Sequence, residues 1–236
     1  MKRGDPASMG AMSIKPGAVL WDMDGTLVDT EPYWMEVETE LVESFGGTWS
    51  HDDALQLVGN SLLDSGKVLQ QAGVDMQPQE IVDLMTDRVA AMLRTRGVPF
   101  RPGARELLAD LRANGVPTAL VTMSMRRMAV DVVELIDFTA FDVIVGGDEV
   151  ARPKPYPDPY LTGAALLEVD IADAVVIEDS PTGVAAGAAS GAVTLGVPHI
   201  VALEGCGADE LWPTLAGRTT ADLADLHARL AKQGAR

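Results

Sequence analysis

The chain has 236 residues, of which 47% are hydrophobic and 22% charged, a balance that belongs to a folded globular protein and excludes a disordered one. Its formal charge of −17 argues against nucleic acid or an anionic membrane as partner, because either would be repelled at long range. No run of about 18 apolar residues offers a transmembrane helix. The single cysteine, Cys206, leaves no internal disulfide and no cysteine-based zinc cluster, which suits a reducing cytoplasm.

Residues 1–17 start basic, but Asp5, Pro6 and several glycines interrupt them and the apolar stretch of a secretion signal is missing, so they read as a flexible extension. Residues 18–21 (AVLW) form an apolar run ending in an Asp- and Gly-containing turn, the pattern of a buried strand. From Glu31 to Phe45 the period turns helical, with Trp34, Val37, Leu41 and Phe45 three or four apart and Gly46-Gly47 as the stop. Segments 60–72 and 79–96 also read as helices; in the second, Ile81, Leu84, Met85, Val89 and Met92 form a stripe of period about 3.6. After Gly97, strands and helices alternate. Pro102 and Gly103 open a helix through Ala113, followed by strand 116–121, a helix over 125–137 and strand 142–146. The proline-rich loop 152–159 leads into a helix to Leu167, then strand 174–178, helix 181–190, strand 192–197 and an amphipathic helix from Ala221.

One strand, several consecutive helices, then repeated strand–helix units imply an α/β fold: a Rossmann-like parallel sheet with a helical module inserted after its first strand. The expected division is a discontinuous core of residues 18–29 and 99–236 and an α-helical cap of residues 30–98. Sheets of this kind bind ligands beyond the carboxyl ends of their strands, and four such ends carry reactive residues. The first supplies Asp22-Met23-Asp24-Gly25-Thr26, which read alone is either an acidic turn or half of a metal site. A calcium loop is disfavoured, because no third Asp or Asn precedes the glycine and the closing Glu is missing. The second supplies Thr122-Met123-Ser124, hydroxyls suited to a phosphate oxygen or to capping the next helix. The third is followed by Lys154 between Pro153 and Pro155, which hold its backbone extended. The fourth supplies Glu178-Asp179-Ser180 ahead of Pro181, again either a helix cap or the rest of a metal site.

In chain order, acid–acid, hydroxyl, lysine and acid–acid at four strand ends resemble the haloacid dehalogenase-like hydrolase superfamily, over a span from about Ala18 to at least Val197. The insert beginning Asp29-Thr30-Glu31-Pro32 is similar to the subclass with a small helical cap, and in particular to its sugar-phosphate phosphatases and β-phosphoglucomutase-like members. The resemblance implies a phosphoric monoester hydrolase acting on a small phosphorylated metabolite, with Mg²⁺ held by the side chains of Asp22 and Asp179 and the backbone carbonyl of Asp24. Glu178 either ligates directly or acts from behind the ligands. Asp22 becomes the nucleophile, forming an aspartyl-phosphate, and Asp24 the acid and base. Thr122, Lys154 and the backbone N–H groups of Met123 and Ser124 cradle the phosphate.

Mutase relatives carry a cap histidine and a cap arginine where this chain has Trp34 and no arginine near Gly59-Asn60-Ser61, which favours water as phosphoryl acceptor. Asp24 disfavours dehalogenation, and the complete motif set disfavours a non-catalytic regulatory protein on the same fold. Specificity is expected from Trp34, Gly59, Asn60 and Ser61, with Trp34 expected chiefly as a core residue. Arg126 and Arg127 are expected to be exposed, Met123, Met125 and Met128 to pack in the core, and His51, His199 and His227 to be surface or structural residues.

Overall fold

The computed structural model describes residues 15–234. Six parallel strands lie in the order β3-β2-β1-β4-β5-β6: β1 Ala18–Trp21, β2 Thr118–Val121, β3 Val143–Val145, β4 Ala174–Glu178, β5 Val193–Gly196 and β6 Glu210–Leu211. β1 lies at the centre, flanked by β2 and β4, and all four of its residues are buried. Such near-continuous apolar strands are what a parallel sheet covered on both faces requires. Alternate residues of β1 serve opposite faces: Val19 and Trp21 join one hydrophobic cluster, Ala18 and Leu20 another.

Four helices follow β1: α1 Glu31–Ser44, α2 His51–Leu55, α3 Leu62–Gln71 and α4 Pro78–Arg96. The chain leaves and re-enters the sheet region through one narrow passage, where Val28 bridges Phe100 antiparallel and the Asp29 N–H donates to the Pro99 carbonyl at 2.7 Å. The remaining helices are α5 Ala104–Ala113, α6 Arg126–Glu134, α7 Asp158–Leu166, α8 Pro181–Ser190 and α9 Thr220–Gly234. Leu107, Met128 and Leu223, from α5, α6 and α9, pack on the Val19/Trp21 side of the sheet. Tyr160 and Ala186, from α7 and α8, pack on the other side.

The expected fold class is therefore borne out, and strand 174–178 and helix 181–190 fall where the sequence places them. Strand 116–121 begins instead at Thr118, because Pro117 lacks the N–H a ladder needs. Besides two 3₁₀ turns, Gly147–Glu149 and Ile171–Asp173, two short elements lie outside the expected order. Helix α2 is a single capped turn in which Ser50 and Asp53 satisfy each other's backbone N–H groups, and β6 is an edge strand of two residues. Phe45, expected on the apolar stripe of α1, is 43% exposed because the helix ends one residue earlier. Of the expected N-terminal extension, residues 1–14 lie outside the described residues; Gly17 is already tied in, its N–H donating to the Asp173 carbonyl at 2.8 Å. None of the described helices is long and apolar enough to cross a membrane.

Candidate active site

The register of the central strands assembles the site. Trp21 pairs with Ile177, and the Asp22 N–H donates to the Ile177 carbonyl at 3.1 Å, so Asp22 emerges beside Glu178 and Asp179. Oxygens of these three buried carboxylates lie within 4.8 Å of one another. The turn after β1 is folded back by the N–H groups of Leu27 and Val28, both donating to the Met23 carbonyl at 3.0 Å. Gly25 is obligatory in it: its φ is +86°, and a β-carbon there would lie 2.0 Å from Asp179 Oδ2.

Lys154 enters from the loop before α7, 5% exposed. Its ammonium donates to Asp22 Oδ1 at 2.7 Å, to Glu178 Oε1 at 2.6 Å and to the Val121 carbonyl at 3.0 Å. The flanking prolines leave its own N–H facing Met123, whose sulfur accepts it at 3.4 Å. Glu178 is fully buried and surrounded by donors. Tyr160 donates its hydroxyl to Oε1 at 2.7 Å, while Oε2 accepts from the Asp179 N–H at 3.0 Å, the Ser180 N–H at 3.3 Å and the Ser180 hydroxyl at 3.1 Å.

Asp24 points the other way, toward the helices that follow β1. Its Oδ1 accepts from the Thr30 hydroxyl at 2.5 Å and the Trp34 indole N–H at 3.2 Å. Its Oδ2 accepts from the Ser124 hydroxyl at 2.7 Å and the Thr122 hydroxyl at 3.2 Å. The Ser124 N–H, expected to face a phosphate, donates to Thr122 Oγ1 at 3.0 Å in this arrangement. Asp22, Asp24, Thr122, Met123, Ser124, Lys154 and Asp179 all line one cavity of about 70 Å³, so the structure brings the expected site residues together around a common space. Glu178 stands behind it.

Charge crowding shows in the titration of these groups. Burial and the Glu178 charge push Asp22 up to about 7, against the opposing pull of Lys154. Burial, then Asp22 and Glu178, hold Asp179 well above the ordinary carboxylate range. Lys154 loses solvation on burial, but Asp22 and Glu178 more than compensate and raise it. A set of buried, closely spaced carboxylate oxygens with one ammonium suits a hard divalent cation, which binds oxygen and offsets their repulsion.

Several functional contacts escape the sequence. Trp34 is more than the core residue expected, since its indole N–H, which can only donate, engages Asp24. Glu31 and Glu38 lie on the same face of α1 as Trp34, at i, i+3 and i+7, and line the far side of the cavity. Burial, then Asp24 and Glu38, push Glu31 up to about 8. Burial pushes Glu38 up to about 7 despite the hydrogen bond from the Trp49 indole. Two acids spaced seven apart on an otherwise apolar helix face were the available signal. Met123 lines the cavity rather than only packing in the core. Arg126 and Arg127 are exposed and paired with Glu149 and Asp83. His199 pairs with Asp29 at 2.8 Å, next to the chain passage.

The haloacid dehalogenase-like hydrolase family model matches residues 19–197. The chain belongs to that family. It is 33% identical over 189 residues to the bifunctional riboflavin kinase/FMN phosphatase of Arabidopsis thaliana, covering 77% of this chain but only 48% of that protein, so it spans about half the length of that relative. It is 31% identical over 187 residues to the phosphorylated carbohydrates phosphatase of Thermotoga maritima, covering 77% of this chain and 85% of that one. Among solved structures it is similar to CbbY from Rhodobacter sphaeroides in complex with phosphate, with a TM-score of 0.75 and 26% identity over 88% of this chain and 99% of that one.

Because Glu31 and Glu38 hold protons in the folded protein that the unfolded chain releases, their contribution to stability is full below the ordinary glutamate range and is lost as pH rises through about 7 for Glu38 and about 8 for Glu31. Glu38→Gln, which keeps the shape and an acceptor for Trp49, therefore raises stability at pH 8 by on the order of 1–3 kcal/mol and changes it little at pH 4. Thermal melts at the two pH values check this; an equal shift at both, or none, contradicts the burial account.

Proposed function

We propose that this chain is a Mg²⁺-dependent phosphatase of small phosphomonoesters, sugar phosphates first, working through an aspartyl-phosphate on Asp22. The observation that carries this is Lys154 pinned between Asp22 and Glu178, with Asp179 beside them, at the carboxyl end of a parallel sheet. The phosphatase relative that acts on phosphorylated carbohydrates supports the substrate class.

In this reading Asp22 and Asp179, with the Asp24 backbone carbonyl, hold the Mg²⁺, whose charge when bound reconciles the carboxylates with an anionic substrate. Glu178 orients Lys154 and does not ligate, because Lys154, Tyr160, Asp179 N–H and Ser180 already occupy both its oxygens. Lys154 neutralises phosphoryl oxygens beside Asp22. Asp22 Oδ attacks phosphorus in line, giving the acyl phosphate and the leaving alcohol. Asp24 gives that alcohol its proton, then takes one from the water that opens the acyl phosphate. Thr30 and Trp34, both on Oδ1, hold the Asp24 carboxyl in place for both transfers. Each of the Thr122 and Ser124 hydroxyls carries one hydrogen, now given to Asp24 Oδ2, and turning it to a phosphate oxygen leaves Oδ2 free to carry the transferred proton.

Residues 30–98 act as a cap over this centre, hinged where Val28 bridges Phe100. The cap meets the core at Gly59, whose carbonyl accepts from the Thr182 hydroxyl at 2.7 Å. Closure there excludes water while Asp22 attacks. Among the described residues no arginine lines the cavity to grip a second phosphate, which favours water over a sugar as acceptor.

Hydrolysis of a generic aryl phosphate depends on magnesium, and Asp22→Asn lowers kcat by at least about 1,000-fold. Full activity in that variant or in EDTA sinks the mechanism. Magnesium also raises the melting temperature, more at pH 8 than at pH 6, because Asp22, at about 7, and Asp179, also raised by burial, must release protons to ligate; a larger shift at the lower pH contradicts this ligand set. At Gly59, φ is +77° and a β-carbon would lie 2.8 Å from Thr182 Oγ1 and 2.9 Å from Ser180 Cβ. Gly59→Ala is expected to keep the cap from seating and to lower kcat/KM by about tenfold or more; wild-type kinetics place the seal elsewhere.

A further inference from the structure

The ammonium of Lys154 lines the cavity, and its three hydrogens are all in use: one on Asp22 Oδ1 at 2.7 Å, one on Glu178 Oε1 at 2.6 Å and one on the Val121 carbonyl at 3.0 Å. To meet a phosphoryl oxygen it must give one of them up. A buried acceptor left without a donor costs much of what the new contact gains. The three acceptors differ in this respect. Asp22 Oδ1 and the Val121 carbonyl receive no other side-chain donor among the described residues. Glu178 Oε1 receives a second one, the Tyr160 hydroxyl, at 2.7 Å.

Glu178 cannot follow a departing ammonium. Its Oε2 is held by the Asp179 N–H, the Ser180 N–H and the Ser180 hydroxyl, and a β-carbon at Gly183 would lie 1.8 Å from Oε1. Tyr160 is equally fixed, fully buried in the apolar cluster that includes Leu20, Val121 and Val176. Its hydroxyl carries one hydrogen, and Glu178 is the acceptor it reaches. The Lys154 ammonium also lies 5.0 Å from the centre of the same ring, so the phenol supports the lysine from its face as well.

We propose that Tyr160 is a positioning residue that lets Lys154 turn one hydrogen from Glu178 to the phosphoryl group: its hydroxyl stays on Oε1 and keeps that oxygen paired when the ammonium leaves it. This rests on the phosphatase reading and assigns a further residue within it. Lys154 keeps its ties to Asp22 and Val121 and so pivots rather than withdraws. Without the hydroxyl, the same turn strands Glu178 Oε1 in a place it cannot leave, and the lysine is held back. Magnesium binding to Asp22 and Asp179 does not require the turn, so the two events are separable.

Tyr160→Phe keeps the ring and its packing and removes only the hydroxyl. With magnesium present, the variant, verified as folded by its melting transition, binds inorganic phosphate about tenfold more weakly by calorimetry and loses about tenfold in kcat/KM on an aryl phosphate. Its affinity for magnesium alone is unchanged. A packing role loosens both ligands together, so a parallel loss of magnesium affinity overturns the proposal, as does wild-type phosphate affinity. A crystal structure of the wild-type protein with phosphate and magnesium decides the point without any variant. Nζ on a phosphate oxygen, with Tyr160 still on Oε1, upholds the role; Nζ still on Oε1 overturns it. Absence of aryl phosphate hydrolysis by the wild-type protein refutes the phosphatase reading instead. Phosphate binding to the two proteins then decides the role of Tyr160 as before, and no binding to the wild type overturns it too.

Discussion

The ammonium of Lys154 is the contact on which the rest of the centre depends. Asp22 and Glu178 are carried by adjacent strands whose register gives them no choice about being neighbours, and both are buried. Two carboxylates so placed repel each other and have lost most of their hydration. A single buried ammonium, 2.7 Å from one and 2.6 Å from the other, turns that repulsion into a bridged arrangement. Its own position is fixed by backbone contacts, with its N–H on the Met123 sulfur and its Nζ on the Val121 carbonyl, both at the end of β2. Three strand ends are thus fastened by one side chain.

The bridge does not balance the charge. Asp24 and Asp179 add two more carboxyl groups to the same cavity, and Asp22 still sits near 7 with Lys154 in contact. A shift produced by burial together with a specific charged partner inside a cleft marks Asp22 as a candidate functional carboxylate. The oxygens of Glu178 are saturated by Lys154, Tyr160 and the start of α8. The packing around it is equally strict, since a β-carbon at Gly183 would lie 1.8 Å from its Oε1.

Most of this was legible in the sequence because it is local. A strand that ends in Asp22-Met23-Asp24-Gly25-Thr26 has its geometry written in adjacent residues, and Pro153 and Pro155 announce a stiff loop around Lys154. Strand β4 and helix α8 are bounded by residues that cap or stop them, Ser180 with Pro181 and then Gly191. The contacts that were not legible are those made across the fold. Tyr160 sits among apolar neighbours on α7, and only the packing of that helix against the sheet turns its hydroxyl toward Glu178. Trp34 looks like one member of an apolar stripe, and the stripe is real. Its indole nonetheless reaches a carboxylate ten residues earlier, because the turn at Gly25 doubles the chain back. Helix α2 is too short for periodicity to register.

Helix α1 joins the two halves of the cavity in a way that follows from its pitch alone. Glu31, Trp34 and Glu38 project from one face over about two turns. Thr30, at the head of the helix, and Trp34 both hold Asp24, the group next to the departing oxygen in the proposed reaction. Glu31 and Glu38 face the space into which the rest of the leaving group would extend. The helix cannot rotate or slide to relax its two acids without also moving the indole off Asp24. In the proposed reaction, contact with the leaving group and proton transfer are therefore coupled: the side chains that face that space and the two donors that hold Asp24 Oδ1 belong to one helix and its head.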